Sequence, residues 1–328
     1  MMDYARERPW ASRAIVFLLV AVALAVMQLG GTAAGNLFAP LIGLADPNQS
    51  SGLGRDLLVA ALLAGVFVAN LELIRLLPFT VQIGVIWAEL LAIFFIFVRS
   101  FDRDFGVLFE TSDSGVTNLA FLITTGAFTT LYISLMSIAI ACLLALLGAL
   151  ARLSTNSMAF AISTFYVSFF RGTPLLLQVV LIYTGLAQLG FIIEAVPAGI
   201  TALSLCYGAY MAEIFRAGIL GVPSGQREAA KALALKPGIT FRKIIFPQAM
   251  RLIVPPTGNQ YIAMLKDSSL VSVVGVWELT KTAQVLGKRD FRVFEFLIAA
   301  AVVYWIMSFV FELIQARIEK HYGKSDRR

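Results

Sequence analysis

Between Leu119 and Leu150 the chain carries no Asp, Glu, Lys, Arg or His, and this run decides what solvent the protein must meet. A membrane-crossing helix needs about 20 apolar residues, so the run can cross with a tilt. Residues 15–29 and 57–71 are equally free of charge, and 79–98 contain Glu89 alone. Backbone amides and carbonyls find no water in hydrocarbon, which makes each of these runs a helix. Composition agrees, with apolar residues at 59% and charged residues at 14% of the chain. Soluble domains carry roughly 25% charged residues to wet their surface. The fold class expected is therefore an all-α polytopic membrane protein.

The runs fall into two unequal parts. Residues 1–115 read as an N-terminal accessory region of about three spans, near 14–43, 56–77 and 79–98, closed by a polar connector from 99 to 115. Residues 118–320 read as a core of five spans, near 119–150, 172–193, 197–220, 252–277 and 293–316. Residues 157–171 are apolar and aromatic, but Pro174 disfavours helix at Thr173, so a bend or break is expected before the next span. Arg6, Arg8 and Arg13 precede the first run as in a signal peptide, yet that run exceeds the usual apolar region and further spans follow. A retained first helix is expected.

The net charge of +6 belongs to topology rather than to a nucleic-acid partner, because the basic residues gather between apolar runs. The linker 224–251 holds Arg227, Lys231, Lys236, Arg242, Lys243 and Arg251 against Glu228 alone, and the tail holds Lys320, Lys324, Arg327 and Arg328. Both are expected on the cytoplasmic side of a plasma membrane, and about eight crossings then put both termini there. The linker 278–292, with Lys281, Lys288, Arg289 and Arg292, falls outside by the same count and is the exception. Cys142 and Cys206 lie in apolar runs without repeated spacing, so neither a disulfide nor a metal site is expected. His321, the one histidine, sits in the charged tail.

A long, polar, Ala-rich linker at 222–250 needs a reason to exist. Ser224 follows Pro223 as an N-cap candidate, and 228–235 favour helix by propensity. Lys236, Pro237 and Gly238 then turn the chain before a second short helix leads back to the membrane. Small residues let another backbone approach closely, so the elbow reads either as a docking element or as a solvated connector.

The stretch Gly225, Gln226, Arg227, Glu228, Ala229, Ala230, Lys231, Ala232 and Leu233, continued by Phe246 and Pro247, resembles the glutamate-alanine-alanine loop of ABC-importer permeases. Three further stretches resemble permeases for polar amino acids: Phe169 to Leu176, Ala209 to Ile219, and Pro255 to Gln260 with Leu265 to Leu270. The resemblance covers 118–320; the first 115 residues match no motif, although extra N-terminal spans occur in larger members of that family. It implies a permease subunit with alternating access, and a coupling helix that docks on a cytoplasmic ATPase through Gly225, Glu228, Ala229, Ala230, Leu233, Ala234, Gly238 and Pro247. It also implies a solute-binding protein outside the membrane, a second permease subunit that is a copy or a homologue, and a bacterial inner-membrane location. The family usually has glycine where this chain has Ala234, so the turn is expected to shift to Gly238.

No phosphate loop of the Gly-x-x-x-x-Gly-Lys-Ser/Thr type occurs, and no nucleophile has a histidine base. The chain is expected not to be an enzyme and to hold no cofactor, with ATP and Mg bound by the partner ATPase. A gradient-driven secondary transporter is the alternative, with Asp267, Glu72 and Glu89 as a relay.

Ionisable groups in a span cost roughly 2.5–3.5 kcal/mol each and so need a role. Asp267, Lys266, Ser268, Ser269 and Asn259 are candidates to face a polar cavity that meets the amino acid substrate. An ion pair within the bundle is the other reading of Asp267. Gln178 joins the candidates, and Arg171 marks either a gate or the membrane boundary. Glu213 and Arg216, at i,i+3, read as a structural pair bracing the coupling loop.

Overall fold

The computed structural model describes residues 9–26, 53–99, 104–111 and 115–323. The chain divides into two compact units, Met1–Asp102 and Arg103–Arg328. In the first, α1 (Pro9–Val26) packs on α2 (Leu53–Arg75), and α3 (Phe79–Arg99) follows. Glu72 is held by Arg13 at 2.9 Å and Arg75 at 2.7 Å, and Asn70 donates to Glu89 at 2.9 Å. The expected first span at 14–43 lies beyond Val26 largely outside the described residues.

The second unit begins with a short 3-10 turn (Phe105–Phe109), followed by α4 (Asn118–Arg152), which contains a π turn at Leu122–Ala127. Its charge-free sequence becomes one continuous helix. Ala141, Ala145 and Ala149 recur every four residues and are fully buried against α7 (Ala195–Leu220), which contributes Ala202, Ala209 and Ala212. Small residues let backbones approach closely in a membrane, where Leu against Leu gains little over lipid.

Between these helices, α5 (Ser157–Gly172) and α6 (Leu175–Gln188) meet at a bend of 108°. The Asn156 carboxamide caps α5 by accepting from the amides of Met158 and Ala159. The break falls at Thr173, the residue before Pro174, for the steric reason expected. The expected span at 172–193 is therefore the shorter α6, set at an angle to α5.

After α7 comes the elbow. α8 (Ser224–Ala232) leads to the short α9 (Pro237–Thr240), a π turn at Phe241–Ile245, and α10 (Phe246–Asp267). Pro255 and Pro256 lie inside α10 and leave the carbonyls of Arg251 and Leu252 without helical donors. Gln315 from the last helix donates to the Pro255 carbonyl at 2.7 Å.

The expected span at 252–277 is corrected here. The helix starts earlier and ends at Asp267; a 3-10 turn (Ser268–Val274) follows, closed by Gly275 at φ 89°. Lys266 and Asp267 thus stand at the end of a helix rather than well inside one. The linker 278–292 also proves structured. It forms α11 (Leu279–Arg289), capped by the Glu278 carboxylate, which accepts from the Thr280 and Lys281 amides. Tyr304 donates to the same carboxylate at 2.6 Å. Leu279, Thr282, Ala283 and Leu286 bury one face of α11. The last helix, α12 (Val293–Gly323), runs long and mostly apolar.

Four helices are long and apolar enough to cross a membrane, or five if the bent pair is one span, among the described residues. α10 is not among them, because its prolines, amides and charges lower its hydropathy.

Candidate functional site

Two regions gather the functional candidates, the Ala-rich elbow after α7 and a polar cavity among the helices. In the elbow, Pro223 and not Ser224 occupies the N-cap position of α8, without a side-chain cap. The helix is tied down instead by Arg227, which donates to the Ile219 carbonyl near the end of α7 at 2.8 Å. Ala230 turns inward and is 1% exposed. Gly225, Glu228, Ala229, Ala232 and Leu233 are exposed and fall at three- and four-residue spacing along one face. A Cβ at Gly225 would meet nothing within 4 Å, and Leu233 leaves 72% of its surface free. A small-residue face with an apolar end therefore stands open.

The turn after α8 does not shift to Gly238. Ala234 itself adopts the left-handed conformation, at φ 51°. The Leu235 amide donates to the Ala230 carbonyl at 3.0 Å and the Ala234 amide to the Lys231 carbonyl at 2.9 Å. This pair of bonds is a Schellman ending, which satisfies carbonyls that a helix end otherwise leaves open. Gly238 lies within α9 with open space around it. Pro247 sits exposed in the first turn of α10.

The cavity holds about 450 Å³ and is lined by Arg171, Gly172, Thr173, Pro174, Leu175, Cys206, Tyr207, Tyr210, Gln260 and Asp267. Its volume lies in the range of about 300–1,000 Å³ usual for small-molecule sites. The break between α5 and α6 supplies one wall, α7 another and the end of α10 the third. Tyr207 donates to the Asp267 carboxylate at 2.7 Å. The Arg171 guanidinium lies 5.3 Å from the Tyr210 ring centroid, a distance at which a cation is attracted to an aromatic face. One fixed anion and one fixed cation therefore share a single polar cavity.

Glu213 anchors the Arg171 side. It pairs with Arg216 at 3.0 Å and Arg171 at 3.6 Å, and also with Arg152 at the end of α4. The expected i,i+3 pair is thus part of a cluster in which three arginines from three helices converge on one carboxylate.

Other candidates are placed elsewhere. Gln178 is 4% exposed and does not line the cavity. Its amide donates to the Phe170 carbonyl at 2.9 Å and to the Thr173 carbonyl at 3.0 Å, bracing the break. Ser268 is fully buried and donates to the Leu265 carbonyl. Asn259 is exposed outside the cavity. Lys266 and Ser269 line a separate cavity. Gln260, Tyr207 and Tyr210 were missed by the sequence reading. Gln260 was findable, since seven residues make about two helical turns and place it on the face of Asp267. The tyrosines come from α7, and nothing local in the sequence links them to α10.

The chain is similar to known transport proteins. The family described as "Binding-protein-dependent transport system inner membrane component" matches residues 143–324. The chain is similar to the L-cystine transport system permease protein TcyB of Bacillus subtilis, at 37% identity over 61% of this chain and 86% of that protein. It is 37% identical to the glutamine transport system permease protein GlnP of Escherichia coli, over 61% of this chain and 92% of the relative. Among solved structures, an amino acid ABC transporter crystallised with histidines aligns at TM-score 0.58 and 38% identity, covering 61% of this chain and 93% of that one. The inward-facing MetNI methionine ABC transporter aligns at TM-score 0.56 and 19% identity, over 65% of this chain and 99% of that one, and supports the fold alone.

Proposed function

Because the chain belongs to the family of inner-membrane components of binding-protein-dependent transport systems, we propose that it is the permease subunit of an ATP-driven importer for polar amino acids. It is a multi-pass membrane protein and not itself an enzyme. The observation that carries the reading is the exposed small-residue face of α8, tied through Arg227 to α7 and leading through the π turn into α10. That face suits a docking groove on a cytoplasmic ATPase, and any push on it reaches both helices that wall the cavity.

In this reading ATP and Mg belong to the partner ATPase, and the permease holds no cofactor. A solute-binding protein delivers the amino acid from outside, and a second permease subunit completes the pathway. Residues 1–115 form the accessory region and 118–320 the permease core, with both termini and the loop 222–250 cytoplasmic. In the cavity Arg171 receives the substrate carboxylate and Asp267 its ammonium group, while Gln260 and the tyrosines contact the remainder. Charge-assisted hydrogen bonds of this type are about twice as strong as neutral ones, so a zwitterion gains at both ends.

The gradient-driven alternative needs free intramembrane carboxylates. Glu72 is already paired with two arginines, while Glu89 accepts only from the neutral Asn70 carboxamide, so the three-carboxylate relay loses Glu72. The test is uptake into vesicles holding the assembled complex. ATP-dependent amino acid uptake that survives collapse of ion gradients supports the proposal. Uptake without ATP that vanishes with the gradient refutes it.

A further inference from the structure

The charged lining of the cavity at the α5–α6 break consists of Arg171 and Asp267. A bound amino acid brings an ammonium and a carboxylate of its own, so its backbone occupies both, and no charge in the lining is left for its side chain. The nearest carboxylate behind the lining is also engaged. Arg152, Arg171 and Arg216 converge on Glu213, three guanidiniums to one carboxylate, which leaves that cluster net positive. A cationic side chain would enter this field without a second anion to receive it. An anionic one would find no second cation in the lining. A charge taken out of water without a partner is costly.

The uncharged lining is selective in the same direction. The Tyr207 hydroxyl is committed to Asp267. The Thr173 hydroxyl donates to the Phe169 carbonyl and accepts from the Gln178 amide. Among the described residues, the Gln260 carboxamide and the Tyr210 hydroxyl line the cavity without a hydrogen bond. Gln260 is half-buried, and polar groups removed from water are satisfied as a rule. A carboxamide presents two donors and one acceptor oxygen, so its full complement is a second carboxamide. We propose that the cavity selects amino acids with an uncharged, carboxamide-bearing side chain, and that Gln260 reads that group through a reciprocal pair of hydrogen bonds. The inference rests on the amino acid permease reading and narrows its substrate from polar amino acids at large to neutral ones.

The test measures equilibrium binding of tritiated L-glutamine to the purified full-length chain at neutral pH, displaced by unlabelled glutamine, arginine or glutamate. No binding protein is added, so the selectivity read is that of the chain itself. Arginine and glutamate should each need a concentration about tenfold or more above that of glutamine, as an unmatched charge demands. Gln260→Glu puts an anion where the carboxamide stood and should invert the order, with arginine displacing better than glutamine. A gain for arginine cannot arise from misfolding. Equal displacement by all three in wild type, or strongest displacement by arginine or glutamate, overturns the selectivity and leaves the amino acid reading standing. Failure of Gln260→Glu to gain arginine overturns the part given to Gln260. A wild-type chain that binds none of the three refutes the amino acid reading of the cavity, and this proposal with it.

Discussion

Replacing Ala234 by glycine should tighten the elbow. Ala234 sits at φ 51°, where a Cβ crowds the following carbonyl at a cost of roughly 1–2 kcal/mol. Glycine removes that strain but loses about 0.5–1 kcal/mol through the freedom it has when the turn opens. The midpoints of these ranges leave a net gain of about 0.75 kcal/mol, or about three- to fourfold in the closing equilibrium of the turn. Hydrogen exchange reads this directly, because the Ala234 and Leu235 amides are the two donors of the ending and exchange through local opening. Both amides should exchange about three- to fourfold more slowly in Ala234→Gly. In Ala234→Val they should exchange faster, since a β-branched residue fits the left-handed region worse. Gly238→Ala, within α9 and in open space, should leave both rates unchanged. Faster exchange in Ala234→Gly, or a larger effect at Gly238 than at Ala234, would refute the placement of the turn.

Asp267→Asn should keep the Tyr207 contact and permit assembly, yet lower uptake kcat/KM by about tenfold or more, as expected for losing a charged hydrogen bond of about 1.5–3 kcal/mol. Unchanged uptake kinetics would remove Asp267 from the pathway. Glu213→Gln leaves Arg152, Arg171 and Arg216 converging without an anion, so the melting midpoint in detergent should fall, by more than for Asp267→Asn. Gly218→Ala would drive a Cβ into the Ile253 side chain where α7 crosses α10. Overpacking of this kind costs about 1–3 kcal/mol, and a thermal melt should show the loss.

The long apolar helices were legible because α4 and α12 carry their signal in the run itself. The bend before Pro174 was legible for the same reason, since a single residue type imposes it. α10 was placed poorly because its two prolines, amides and charges blur the hydrophobic run that marks a span. α11 was read as a linker because its buried face is short and its basic residues counted as loop. Glu278 capping α11 while accepting from Tyr304 is a tertiary arrangement that no local pattern announces. The Ala234 turn was misjudged because glycine is the usual occupant of a left-handed cap, and here the Schellman bonds hold an alanine in that conformation. The cavity was half legible. Asp267 and Arg171 stand out as charges in apolar surroundings, whereas Tyr207 and Tyr210 join them only when α7 packs beside α10.

Whether α8 docks on an ATPase is decided by affinity purification of the tagged chain from native membranes. An ATPase subunit should be recovered with wild type and lost when Glu228 and Ala229 are replaced by bulky residues, with the fold intact. A chain that purifies without any ATPase yet still transports amino acids in vesicles would contradict it.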